Sequence, residues 1–339
     1  MRKPNSRLAA LLAGLFVTMA VAPADGRAEP VKIRFGWIVP ATNIAPVLFA
    51  KQGLSKHNGT SYSYEAVRYQ GSPLQVTALA SGDLEIALLA WSSIGLAIEN
   101  AGLNDARIVA DEIQEGIGNY YSHEYMVLKD GPIKSIADLK GKNLATNSLG
   151  AAVDIAMRAM LRKNGLEYRR DYNIVEAAFP NMKAFLLESK VDLIPGVLPF
   201  SLDPELRAKA VTLFTEKDAM GPSDLGFLVM REPFIKKNRA AIVDFFEDYI
   251  RAVRWFTDPA NRKEAIAIHA DFAKMPPERL EGWLFTEKDY YRDRNALPNL
   301  QSLQSNLETQ RDLGFLKSKI EIGKFADLSI VREAAARIK

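Results

Sequence analysis

The chain has 339 residues, 48% of them hydrophobic, enough to bury two ordinary cores without covalent staples. It contains no cysteine, which excludes a disulfide framework, a thiol nucleophile and a thiolate metal site. The formal charge of +3 does not point to nucleic acid: residues 1–28 carry four of the 44 basic side chains and one of the 41 acidic ones, leaving 40 against 40.

Residues 1–28 are expected to be a secretory signal peptide. Arg2, Lys3 and Arg7 form a positive start, 8–21 is apolar or small, and Ala22, Ala24 and Ala28 offer small residues before a cleavage point. That apolar run falls short of the roughly 20 residues a membrane-spanning helix needs. With no cysteine to carry a lipid tether, a freely diffusing mature protein confined to the periplasm is expected.

The mature chain reads as alternating strands and helices. Residues 31–37 alternate like a strand, 39–43 form a loop with Thr42 or Asn43 suited to cap a helix, and 44–51 is that helix. A strand at 61–67, a turn with Pro73 and a helix at 74–80 ended by Gly82 follow. Next come a short strand at 85–89 and a helix to about 100, with Ser92 or Ser93 as its cap. Strands at 107–113 and 124–128 flank a Gly-rich aromatic passage with Tyr120 and Tyr121. A second block has a strand at 143–146, a helix at 151–164, a strand at 172–176, a helix at 182–189 and a strand at 191–194. Residues 221–230 are extended, and beyond Pro233 the chain is expected to be helical throughout. Short connections between alternating elements argue mostly parallel sheets covered on both faces.

The expected fold is therefore α/β and bilobal: two doubly wound lobes joined by a two-strand hinge. Lobe I takes 29–120 and 225–339, and lobe II takes 121–224. The hinge is placed near Tyr120 and Leu225-Gly226.

At Ile136-Ala-Asp-Leu-Lys-Gly-Lys-Asn-Leu-Ala145, Asn147-Ser-Leu-Gly-Ala-Ala-Val-Asp154 and Phe179-Pro-Asn-Met182, the sequence resembles a known family. So do Ser81-Gly-Asp-Leu-Glu-Ile-Ala87 before Trp91-Ser-Ser93, and Arg254-Trp255 with Asp258-Pro-Ala-Asn261. These are the nitrate/sulfonate/taurine-type substrate-binding proteins of ABC importers, whose type II-like periplasmic-binding-protein fold is shared with thiamine-pyrimidine synthases. No single phrase is diagnostic; their order and spacing carry the likeness. The resemblance implies a monomeric, hinge-closing receptor for a small molecule that delivers it to an ABC permease at the inner membrane. A periplasmic sensor and a pyrimidine-synthase-like enzyme are the alternatives, because a fold does not name a ligand or a reaction.

In open α/β sheets, ligands bind beyond the carboxyl ends of the strands. Four loops meet that description. They offer Trp37, Thr42 and Asn43; Trp91, Ser92 and Ser93; Asn147, Ser148, Leu149, Gly150 and Ala151; and Gly196 with Phe200. Tyr120 joins them from the hinge. Helix starts flanked by serine suit a carboxylate or sulfonate, Gly150 allows close backbone approach, and Trp91 is the expected stacking wall. None of the four loops contains arginine, which favours an organic ligand with modest charge. No catalytic residue, cofactor or metal site is expected. His57, His123 and His269 fit no ligand spacing, Gly141-Lys142 lacks the rest of a P-loop, and there is no Gly-x-Ser-x-Gly elbow. Asp111 and Glu112, as strand neighbours, point to opposite faces.

Overall fold

The computed structural model describes residues 29–338, so the expected signal peptide at 1–28 lies outside them. The chain begins with β1 (Val31–Trp37), β2 (Tyr62–Arg68), α1 (Ser72–Ser81), β3 (Ala87–Leu89), α2 (Trp91–Ala101) and β4 (Ala106–Glu115). It crosses through 116–123 into β5 (Glu124–Leu128), β6 (Asn143–Thr146), α3 (Ala152–Lys163), β7 (Asn173–Glu176) and α4 (Phe179–Leu187). Then follow β8 (Ile194–Gly196), α5 (Pro204–Lys209) and β9 (Ala210–Thr215). A short α6 (Glu216–Met220) returns the chain to β10 (Ser223–Arg231). The remainder holds α7 (Glu232–Phe256), α8 (Arg262–Ala273), α9 (Glu278–Glu281), α10 (Leu300–Asp312) and α11 (Ser329–Arg337).

The strands make two sheets of one design. In the first, β1 and β2 are parallel, a bridge from Phe35 to Ile86 sets β3 beside β1, and β10 runs antiparallel between β3 and β4. In the second, β6 and β7 are parallel, a bridge from Leu144 to Leu193 brings the strand entering β8 beside β6, and β5 runs antiparallel between β8 and β9. The orders are β2-β1-β3-β10-β4 and β7-β6-β8-β5-β9. In each sheet the antiparallel strand is the one that has just arrived from the other sheet. A chain leaving the carboxyl edge of one sheet enters its partner from that same edge, so its first strand there runs backwards. The carboxyl edges of both sheets consequently face each other.

Packing follows from the residue pattern. Strands β4 and β10 are buried along almost their whole length, as strands covered on both faces must be. Helix α7 turns Ile242, Phe245, Phe246, Tyr249, Ile250 and Val253 inward at helical spacing. The Phe245 ring lies 6.3 Å from Phe35 and 5.3 Å from Tyr62.

The expected strands at 124–128 and 143–146 are found with those bounds, and α1 ends at Gly82 with φ +80°. Four expectations need correction. The helix expected at 44–51 is a single 3-10 turn, Ala45–Val47, with Pro46 inside it; proline lacks the N–H a longer helix would use and restrains the residue before it. Asn43 does not cap that turn, because its Oδ1 reaches back to the N–H groups of Ile38 and Val39 at 2.9 and 2.7 Å. Ser92 and Ser93 do not cap α2 either: the cap residue is Ala90, and both serines lie inside the first turn. Nor is the chain helical throughout after Pro233. Residues 282–299 form a mostly irregular strap, pinned to β4 by a reciprocal backbone pair between Gln114 and Tyr291, both bonds 2.9 Å.

Candidate functional site

Between the facing edges lies a cavity of about 560 Å³, mouth included. Ile38, Val39, Thr42 and Asn43 after β1, Ser72 of α1, Leu88 and Leu89 of β3, and Ala90 between β3 and α2 form one wall. Ile113 of β4 and Leu225 and Gly226 of β10 continue it. The opposite wall comes from His123, Asn147, Ala151, Ala152, Val153, Phe179 and Val197, and Tyr290 of the strap closes one end. Most of this lining is apolar, and it includes no Lys, Arg, Asp or Glu side chain.

Hydrogen bonds join the two walls directly. Thr42 Oγ1 donates to the Leu198 carbonyl at 3.0 Å, and Ser92 Oγ donates to the Gly150 carbonyl at 2.9 Å. Gln70 and Asn147 exchange a reciprocal pair, each side-chain amide donating to the other's carbonyl at 2.7 and 2.9 Å. Gly71 permits this approach, since a Cβ there would stand 3.0 Å from both Asn147 Nδ2 and Ser148 Cβ.

Next to the cavity, where the chain passes between the sheets, three buried ionisable groups converge. His123 Nδ1 stands 2.8 Å from Glu115 Oε2 and 3.1 Å from Glu216 Oε2, and its Nε2 is 2.7 Å from the Tyr290 hydroxyl. Burial alone would lower the imidazole, but the charge and hydrogen bonds of Glu115 and Glu216 outweigh it and raise it to about 10. His123 is therefore an imidazolium at neutral pH. Burial first, and then Glu115, raise Glu216. Glu216 Oε1 also accepts the Trp91 indole N–H at 2.9 Å. One oxygen or nitrogen from each of Glu115, His123 and Glu216 lies within 4.8 Å of the others, so the trio has the donors for a divalent cation. Such an ion would have to displace the proton the two carboxylates hold on Nδ1.

The sequence-derived site residues divide accordingly. Thr42, Asn43, Asn147 and Ala151 line the cavity. Trp91 does not: it is fully buried and tied to Glu216, so the stacking wall expected there is a core residue instead. Trp37 is buried with its ring 5.5 Å from Phe272 and beneath the Arg68 guanidinium. Tyr120 packs edge-on against Tyr291 at 5.2 Å. Ser93, Leu149 and Gly150 border a separate groove on the α1–α2 side. Ser148 is buried, and Ser92 is spent on the bond to Gly150. Gly196 and Phe200 line an outer groove beside α4; a Cβ on Gly196 would sit 2.8 Å from Met126 Sδ, so packing accounts for that glycine. The sequence reading missed His123, Tyr290, Phe179 and Val197. Their signal was weak because they lie on separate segments that only the finished fold brings together.

The loop expected to cradle an anion already faces carboxylates of the chain itself. The Leu149 N–H donates to Glu176 Oε1 and the Gly150 N–H to Asp154 Oδ2, both at 2.8 Å, while the Ala151 N–H bonds the Ser148 carbonyl at 3.1 Å. Gly150 has φ +83°, a conformation glycine adopts without strain. Asp111 and Glu112 do diverge as expected: Asp111 faces Asp224 across β4 and β10, and Glu112 Oε1 accepts the Ile44 N–H at 2.6 Å.

A family model described as the NMT1-like family matches residues 26–270. Among solved structures, the alkanesulfonate-binding protein SsuA of Xanthomonas axonopodis pv. citri, bound to MOPS, is 16% identical with a TM-score of 0.67. That match covers 89% of this chain and 99% of the other. The periplasmic nitrate-binding protein NrtA of Synechocystis PCC 6803 is also 16% identical, with a TM-score of 0.69, over 92% and 90%. The desulfurization enzyme DSZB is 12% identical with a TM-score of 0.63, over 91% and 100%. At these identities the likeness is one of fold, and that fold carries both binding proteins and an enzyme.

Proposed function

The chain belongs to the NMT1-like family, and from that premise we propose that it is the periplasmic solute-binding protein of an ABC importer. It captures a small organic molecule between its two sheets by hinge closure. One observation carries the reading: the cavity is bounded by both sheets, and side chains from each wall bond directly to the other at Thr42–Leu198, Gln70–Asn147 and Ser92–Gly150. A ligand that touches both walls stabilises the closed arrangement by its differential contacts, which is the thermodynamic requirement for closure. The segments 116–123 and 216–222 are the hinge in this account, in place of the expected Leu225-Gly226, which lies inside β10 at the cavity wall; they divide the chain into 29–120 with 225–339 and 121–224. The solved neighbours that bind alkanesulfonate and nitrate support the importer role. The DSZB likeness supports the enzymatic rival, but both ring nitrogens of His123 are already engaged, and the chain has no thiol.

Thermal-shift screening against sulfonates, taurine, carboxylates and pyrimidines tests this directly, because binding to the folded state raises the melting temperature by mass action. A saturable shift with the compound recovered unchanged supports a binding protein. Conversion of a stabilising compound into product would make the chain an enzyme.

A further inference from the structure

Tyr290 closes one end of the cavity and is 3% exposed, and its hydroxyl has one partner among the described residues, His123 Nε2 at 2.7 Å. Which of the two donates is decided behind the imidazole. His123 Nδ1 lies 2.8 Å from Glu115 Oε2 and 3.1 Å from Glu216 Oε2, and both carboxyl groups are fully buried. An ionised carboxylate accepts and cannot donate, so Nδ1 carries a proton. Two buried carboxylates with no cation between them would be strongly destabilised, so the ring carries the second proton as well. An imidazolium donates from both nitrogens. Nε2 therefore donates to the Tyr290 oxygen, and the hydroxyl proton of Tyr290 is left without an acceptor from the protein.

Two more donors lie at the start of α3. The Leu149 and Gly150 N–H groups go to Glu176 and Asp154, and the Ala151 N–H to the Ser148 carbonyl. The next two, on Ala152 and Val153, stand in the first turn, where a helix offers its N–H groups no partner of its own, and no side chain caps them. Both residues line the same cavity as Tyr290. Strand β5 brings the two sets of donors to one side. Tyr125, two residues beyond His123 and so on the same face, donates its hydroxyl to the Val153 carbonyl at 2.8 Å. Buried donors without acceptors are costly, and a ligand that brings an acceptor relieves that cost.

We propose that the cavity holds its ligand by an oxygen acceptor, a carboxylate, sulfonate or carbonyl group, received by the Tyr290 hydroxyl and the Ala152 and Val153 N–H groups. The body of the ligand then lies against the apolar lining. This rests on the binding-protein reading and narrows it to acceptor-bearing molecules, with Tyr290 as the side chain that selects them. His123 is a positioning residue: by donating to the Tyr290 oxygen it leaves the hydroxyl proton for the ligand.

The test is a calorimetric titration of the purified protein with matched sets. Each set holds an anion, its neutral amide, and an analogue of the same shape with carbon in place of the heteroatoms, such as benzoate, benzamide and isopropenylbenzene. An acceptor-bearing member should bind at least roughly tenfold tighter than the hydrocarbon, a factor of ten being about 1.4 kcal/mol. Either order of anion and amide supports the site, and the tighter of the two names the charge of the acceptor. Tyr290→Phe should weaken the acceptor-bearing members roughly tenfold and leave the hydrocarbon unchanged, a coupling that a merely structural role does not produce. Ala152→Pro gives the same reading even if the first variant fails to fold. Proline is accepted at the first position of a helix, and Ala151 before it is already extended, with ψ 165°. This variant removes one N–H, and it should likewise weaken only the acceptor-bearing members. Equal binding of all three members would overturn the acceptor assignment and leave the binding-protein reading standing. A preference unchanged in both variants would overturn the roles of Tyr290 and the α3 start. No binding by any member would count against the binding-protein reading itself.

Discussion

The cavity and the crossing beside it share His123, which lines the one and centres the other, yet the two regions treat charge in opposite ways. The crossing buries an imidazolium between two carboxylates contributed by β4 and α6. The cavity lining is mostly apolar. Charge here is spent on holding the two sheets' connections together, and the cavity lining carries no Lys, Arg, Asp or Glu side chain. Such a division has a physical reason. A buried ion cluster is strongly destabilised when one member is lost, so it enforces a defined arrangement of the crossing segments.

The largest effect should come from His123→Leu, which leaves Glu115 and Glu216 buried without their cation. A loss of about 3–5 kcal/mol is expected in urea denaturation. If the variant is as stable as the parent, the crossing is not an ion cluster. The pH dependence sharpens the same point. His123 is raised from 6.5 to about 10 on folding, so the folded state binds the extra proton. Its stabilisation is complete below about pH 6.5 and is lost as pH rises through 10. The slope should reach at most about 1.4 kcal/mol per pH unit. Asp111 and Asp224, both raised chiefly by burial, Asp224 to about 7, add a loss of the same sign. His123→Leu should flatten the part of the slope between pH 7 and 10.

A smaller effect separates the two regions. Trp91→Phe leaves Glu216 Oε1 without its indole donor and should cost about 1–3 kcal/mol of stability, with ligand affinity unchanged. A loss of affinity as large as the loss of stability would return Trp91 to the ligand site. Smallest is Gln70→Ala, which removes one bond across the mouth, worth about 0.5–1.5 kcal/mol. It should weaken ligand binding by up to roughly that amount while leaving the urea midpoint nearly unchanged, since the exchange joins the two walls and not one core.

Features set by near neighbours in the chain were readable in the sequence. Strands β5 and β6 have the expected bounds because turn residues stand before or after them, and the two crossings follow from the order of elements. Trp91 was misplaced because a residue at the first position of a helix can turn either to the cleft or to the core, and only the partner Glu216, 125 residues away, decides. The cluster at His123 was invisible for the same reason: its partners lie 8, 93 and 167 residues distant in the chain. One local signal was available. Asp154 stands four residues beyond Gly150, in the first turn of α3, where an acidic side chain competes with any external anion for the helix start.

The most direct test of capture between the sheets uses the absence of native cysteine to place two spin labels cleanly. Thr77→Cys on α1 and Ala184→Cys on α4 are exposed positions on opposite sides of the cleft. Their distance distribution is measured by pulsed electron resonance, with and without a compound shown by calorimetry to bind. Ligand closing the two sheets on each other should shorten the mean distance and narrow its spread. A distribution unchanged by saturating compound would contradict closure and would place binding on one surface alone.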